Sequence, residues 1–304
     1  MKLSSIRSAE KRAKLMAQLS KKAWSLFESP ADTQPVFVVG PQRSGTSMLM
    51  NVFQLHPDTD VVDEARRSPV YLDFRVRSIA TLKDSIDKST KRFACYKIIC
   101  DSHILPTFLE ALPSAKVIWS YRGVTDNANS ALKKFPHATR AIRLVCEGKP
   151  GGGWFAEGVS AEVAAVLRAL PLSELSELDY ACLAWWARNQ LVFELGVEKL
   201  AQVRLLRYES LAQEPVDVLR RLFEWVGLAW SNPVCRFIHS RSVRQSDLSP
   251  LHQAAASLCG DLQRRLDAVN AAQWVGVSPT LLEAQDWRPH GDSNPGYRRE
   301  RAMS

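Results

Sequence analysis

The chain has 304 residues, 46% hydrophobic and 24% charged, a balance that fits a folded globular protein and excludes a mainly disordered, collagen-like or coiled-coil chain. No apolar run approaches the ~18 residues that a membrane-spanning helix needs. The net charge of +8 lies mainly at the ends: residues 1–30 carry seven Lys/Arg against two Asp/Glu, residues 288–304 carry four against two, and the remaining 257 residues hold 29 basic and 28 acidic side chains. Net charge therefore marks no nucleic-acid footprint on the folded middle, and no nucleic-acid partner is expected.

Leu3, Ile6, Ala9, Ala13, Met16, Leu19, Ala23 and Phe27 recur every three or four positions, which predicts an amphipathic helix with a basic face, ending before Pro30. Such a helix packs on the domain or makes a peripheral membrane contact. Charges run through it, so it is no secretory signal, and a cytoplasmic location is expected. Val36 to Val39, bounded by Pro35 and Gly40, reads as a buried parallel strand, followed by a helix over 44–55. Further strands are predicted over 93–100, 116–120 and 203–207. Further helices are predicted over 125–135, 176–199 and 215–226, with a glycine-rich loop over 148–154. Alternating strands and helices predict an α/β domain with a parallel sheet. The segment from Arg288, rich in Gly, Pro, Asn and Arg, reads as a polar basic tail, which leaves 31–287 as a single domain.

Six cysteines, Cys95, Cys100, Cys146, Cys182, Cys235 and Cys259, show no paired spacing and read as reduced thiols; no metal is expected.

Gly40-Pro41-Gln42-Arg43-Ser44-Gly45-Thr46-Ser47 follows a strand and opens a helix. Glycines five apart let the backbone turn tightly and aim amide N–H groups at an anion, and the helix dipole adds to the attraction. The frame is that of a nucleoside-triphosphate loop except at Thr46, which stands where that loop needs lysine. The missing lysine weighs against a nucleotide kinase or other phosphotransferase. A catalytically inactive nucleotide-binding module is the remaining alternative.

The Pro-Gln-Arg-Ser-Gly-Thr-Ser run resembles the 5′-phosphosulfate loop of sulfotransferases that use 3′-phosphoadenosine 5′-phosphosulfate (PAPS). Val117-Ile118-Trp119-Ser120-Tyr121-Arg122, then Ser130, resembles their 3′-phosphate site, although Gly123-Val124 replaces the usual Asp-Pro. Leu206-Arg207-Tyr208-Glu209-Ser210-Leu211, Pro215 and Gly227-Leu228 resemble a third family stretch. The resemblance runs from about residue 36 to 250. It implies a P-loop NTPase-like fold, a parallel sheet flanked by helices on both faces, and sulfuryl transfer from PAPS as co-substrate to a hydroxyl or amine.

By that resemblance Gly40, Gln42, Arg43, Ser44, Gly45, Thr46, Ser47, Arg122, Ser130, Lys134 and Tyr208 hold the nucleotide. Arg43 looks like the arginine of the tyrosylprotein and bacterial branch, in which a Glu after the first helix is the base. Glu64 matches it, with Asp63 adjacent. Lys97, inside an apolar strand where a charge is costly without an anion, falls where that branch has a catalytic lysine. His103 is the alternative base, and Trp185 and Trp186 read as core or as an adenine-stacking pair. The acceptor class stays open among peptide tyrosine, carbohydrate, lipid and small molecule.

Overall fold

The computed structural model describes residues 32–135, 137–230, 232–235, 238 and 250–275. The N-terminal helix over 1–30 and the tail from Arg288 fall outside the described residues. Val36 to Val39 are wholly buried and form most of strand β1 (Gln34–Val39). Around it lie β2 (Thr59–Val62), β5 (Phe93–Lys97), β6 (Lys116–Tyr121) and β7 (Val203–Arg207), in the order β2-β5-β1-β6-β7. Every neighbouring pair in this sheet is parallel. Two-residue strands β3 (Tyr71–Leu72) and β4 (Arg75–Val76) form a separate antiparallel hairpin.

The helices are α1 (Thr46–Leu55), α2 (Ile79–Asp87), α3 (Leu105–Ala111), α4 (Val124–Lys134), α5 (Arg140–Cys146), α6 (Gly153–Glu157), α7 (Ala161–Arg168), α8 (Glu177–Glu194), α9 (Tyr208–Gln213), α10 (Pro215–Val226) and α11 (Gln253–Gln273). Side chains of β1 alternate between two cores, as a strand buried on both faces must. Val36 and Val38 pack with Leu49 and Phe53 of α1 and with Leu219 and Phe223 of α10. Phe37 and Val39 join the other core with Phe108 of α3, Ala128 of α4 and Leu183 of α8. Helices therefore cover both faces, as the resemblance implies.

Boundaries differ from expectation where local chemistry intervenes. The helix expected over 176–199 ends at Glu194, where Gly196 turns left-handed (φ +63°) and only a short 3₁₀ turn follows. The strand expected through Cys100 stops at Lys97, which pairs with Val38 one residue short of the end of β1. The helix expected from Ser44 starts at Thr46, because Gly45 caps it in the left-handed region. Gly153 and Trp154, expected in the loop, open α6. Strand β2, the hairpin and helices α2, α3, α5, α6, α7, α9 and α11 were not anticipated from the pattern. Trp185 is core: it is 1% exposed and its indole N–H donates to the Arg122 carbonyl (2.9 Å), while Trp186 is buried beside it. All six cysteines are free and buried, and burial pushes the Cys100 and Cys182 thiols up to about 12.

Gly40 has φ +124°, and a Cβ on it would stand 2.1 Å from the Ser120 carbonyl oxygen of β6. Gly40→Ala combines backbone strain with a backbone collision, so it is expected to lower the unfolding free energy by at least about 2 kcal/mol. Urea denaturation measures this, and an unchanged midpoint would show that β1 and β6 separate freely there.

Candidate active site

Parallel strands open their C-terminal ends on one edge of the sheet, and that edge carries the motifs. The loop from Gly40 to Ser47 leaves β1, Lys97 ends β5, Arg122 follows β6, and Tyr208 follows β7. Arg43 sits at φ +68° between the left-handed Gly40 and Gly45, a conformation costing roughly 1–2 kcal/mol for a residue with a Cβ. This loop wraps the N-terminus of α1, whose first turn carries no acidic side chain. An anion there meets free N–H groups and the positive end of the dipole without a competing carboxylate.

The loop is pinned from behind. Asn127 of α4 donates through Nδ2 to the Gln42 carbonyl (2.9 Å) and to Ser44 Oγ (3.0 Å), and Ser120 Oγ donates to the Ser44 carbonyl (2.5 Å). Ser44 and Thr46 are buried, whereas Ser47 and Arg43 reach the surface of the cleft. Asn127 is a site residue that sequence reasoning missed. Its one signal was a polar side chain on the helix face that also carries Ser130.

Arg43 Nε donates to Ser130 Oγ at 3.0 Å. The loop and Ser130, 87 residues apart in sequence, thus meet directly. Arg122 lies 4.6 Å over the Tyr208 ring, and a Cβ on Gly45 would strike that ring at 2.4 Å. Gly45, Tyr208 and Arg122 therefore form a stack, with the guanidinium held flat by a cation–π contact. Glu209 accepts the Gly123 N–H (3.0 Å) and stands 3.3 Å from Arg207 and 3.9 Å from Arg122, so it braces the turn after β6. Lys134, one turn beyond Ser130, is exposed.

A second group gathers at the end of β5. Lys97 is 7% exposed, so it does not snorkel to water. Its ammonium donates to Ser47 Oγ (3.1 Å) and pairs with Glu64 Oε1 (3.0 Å) and Asp63 Oδ1 (3.4 Å). Asp63 and Glu64 follow β2 and lie in no helix. Glu64 Oε2 is buried without a hydrogen-bond partner. Burial raises the Glu64 pKa above its usual 4.5, partly offset by the Lys97 charge. Tyr71, a buried residue not singled out in sequence, donates its hydroxyl to the Lys97 carbonyl (2.9 Å) and fixes the strand end.

His103 belongs to a different group. Its Nε2 lies 3.7 Å from Glu157, and burial, with Arg188 and Arg75 nearby, lowers its pKa. Among the described residues, no three His, Cys, Asp or Glu side chains form a group able to hold a metal, and no helix is long and apolar enough to cross a membrane.

The sequence profile of the sulfotransferase domain family matches residues 33–247, which span every element of this cleft. The chain belongs to the sulfotransferase family. No curated protein sequence matches it. Similar solved structures include a sulfotransferase from Alicyclobacillus acidocaldarius (19% identity, covering 78% of this chain and 91% of that one, TM-score 0.43). A mouse sulfotransferase solved in complex with PAP is 16% identical, with 84% and 88% covered and a TM-score of 0.43. The sulfotransferase domain of a Synechococcus olefin synthase is 13% identical, with 78% and 98% covered and a TM-score of 0.49. As a family member the protein is a sulfotransferase, an enzyme that moves a sulfuryl group from a donor to an acceptor.

A carboxyl with a raised folded pKa holds its proton more tightly folded than unfolded. Its contribution to stability is greatest in acid and falls as pH rises through the folded value. Lys97 limits that fall by pairing with the charged form. Lys97→Met should therefore destabilise this sulfotransferase on the order of 3 kcal/mol at pH 7.5. At pH 5 the difference from wild type should be smaller, because Glu64 takes up a proton. Urea midpoints at the two pH values test this, and equal losses would separate Glu64 from Lys97 energetically.

Proposed function

We propose that the donor is PAPS and that the acceptor is a hydroxyl whose proton passes to Glu64. The observation that supports the donor reading is the 3.0 Å hydrogen bond between Arg43 and Ser130, which brings the serine expected at the 3′-phosphate against the loop expected at the 5′ end. A ligand with anionic groups on the 5′ and 3′ sides of one ribose fits that arrangement. The Gly40–Ser47 amides and Ser47 would receive the 5′ end, and Arg122, Ser130 and the exposed Lys134 the 3′-phosphate. Tyr208, beneath Arg122 and against Gly45, sets the width of the slot. When bound, the donor supplies an activated sulfuryl group on a phosphate leaving group.

The chain's own groups then have separable tasks. Arg43 and Lys97 present fixed cations to the sulfuryl and bridging oxygens, where negative charge grows, at no reorganisation cost during transfer. Glu64 has one oxygen engaged by Lys97 and the other buried without a partner, an arrangement that supports accepting a proton from a hydroxyl held there. The raised pKa brings its basicity closer to that needed near neutral pH. Asp63, more exposed and 3.4 Å from the same ammonium, adds a second negative charge to the pair. His103 lies among Arg75, Glu157 and Arg188 rather than on Lys97, so Glu64 is the better-supported base.

Two outcomes test this reading. Adenosine 3′,5′-bisphosphate should bind more tightly than adenosine 5′-phosphate, and Arg122→Ala should remove about 1.5–3 kcal/mol of that preference in calorimetric titration. A preference unchanged in the variant would displace the 3′-site. With labelled PAPS and an accepted hydroxyl, Arg43→Ala should lower turnover by ~10²–10³-fold, and wild-type turnover would remove Arg43 from the chemistry.

A further inference from the structure

Immediately after Glu64 the chain builds a small projection. Residues 65–68 pair with 71–74, through Arg67↔Leu72, Ser68 N–H to the Tyr71 carbonyl (2.9 Å), Asp73 N–H to the Arg66 carbonyl (2.7 Å) and Phe74 N–H to the Ala65 carbonyl (3.1 Å). The β3–β4 hairpin then turns at Asp73 (φ +48°) and Phe74 (φ +66°). Two consecutive left-handed residues make the turn type that asparagine and glycine serve best, and a phenylalanine there is costly. The base of the projection is rigid. Asp101, 3% exposed, accepts Arg75 Nε and the Val76 N–H at 2.7 Å each, and Arg75 also pairs with Glu157 at 2.7 Å.

The exposed side chains of this hairpin are apolar and basic. Leu72 is 47% exposed and Phe74 45%, two of the few large apolar side chains so exposed among the described residues. Arg67 stands opposite Leu72 on the same outward face, and Arg66 and Arg77 are also exposed. One acid, Asp73, is present at the tip, 3.6 Å from Arg66, and that exposed pair contributes little. Residues 65–77 carry four arginines against this one aspartate. An exposed aromatic and an exposed leucine beside exposed arginines match the interface of an anionic bilayer, where the ring sits at headgroup depth and guanidinium groups meet lipid phosphates.

We propose that this hairpin docks the enzyme on an anionic membrane surface, inserting Leu72 and Phe74 while Arg66, Arg67 and Arg77 contact phosphate headgroups. The proposal does not rest on the donor reading, because docking is measured without any donor. Because Glu64 is the residue just before the projection, docking would hold the cleft close to the lipid surface.

The test is flotation of the full chain with phosphatidylcholine vesicles, with and without phosphatidylglycerol. Binding should require phosphatidylglycerol and weaken with added salt. Leu72→Ser with Phe74→Ser should weaken it at least ~10-fold, and Arg66→Gln with Arg67→Gln a further ~10–30-fold, at about tenfold per 1.4 kcal/mol. Both variants alter exposed side chains, and an unchanged thermal midpoint verifies that they fold. Absence of binding by the wild type overturns the proposal. So does equal binding by wild type and the Leu72/Phe74 variant, which would assign the contact elsewhere in the chain. Preferential binding of a polyglutamate peptide over the vesicles also overturns it, making the patch a site for acidic protein segments.

Discussion

The closeness of Gly40 to the carbonyl of Ser120 governs the rest of the site. Only a residue without a side chain lets the end of β1 lie against β6 there, and its left-handed φ then throws the chain across the strand ends toward α1. The consequence is a loop whose next carbonyls are claimed by Ser120 and Asn127. Gly45 repeats the device one step later, where the absence of a Cβ admits the Tyr208 ring and, over it, Arg122. Two glycines therefore set the spacing between the loop and Arg122.

Buried charge organises the other half of the cleft. A buried ammonium at the end of a parallel strand is unfavourable in isolation, and Lys97 is tolerable because Glu64, Asp63 and Ser47 converge on it. The same pairing leaves one Glu64 oxygen buried and unused. A folded protein rarely leaves such an atom unsatisfied, and functional clefts are where the exceptions concentrate. The hairpin that follows shows the same pattern at its surface, where a strained turn keeps Phe74 outward although local preference disfavours it.

Much of the sheet was legible because a strand buried on both faces is continuous in apolar residues. Val36–Val39 and Val117–Trp119 announce themselves in this way, and β7, an edge strand with Arg204 inside it, and α10 also have the expected bounds. The outer strand β2 was not legible, since its four residues, Thr59 to Val62, include an aspartate and offer no continuous apolar run. The hairpin strands were illegible because two residues carry no periodicity. The ends of α8 and β5 were misjudged because an element can stop without a change in its apolar pattern: α8 ends before a left-handed glycine, and β5 ends at Lys97 although Ile98, Ile99 and Cys100 continue the run.

From sequence alone came the phosphate-loop frame, the absent lysine at Thr46, the order of three motifs and the oddity of a lysine in an apolar run. These are local facts, written in spacing and residue type, and local facts are what a linear string preserves. Tertiary structure alone decided that Arg43 reaches Ser130, that Lys97 meets Glu64 rather than water, that His103 keeps other company, and that Asn127 and Tyr71 support the site. Those outcomes depend on which strands lie side by side and in what register, and contacts between residues dozens of positions apart are set by packing of the whole sheet, not by any segment's own preference.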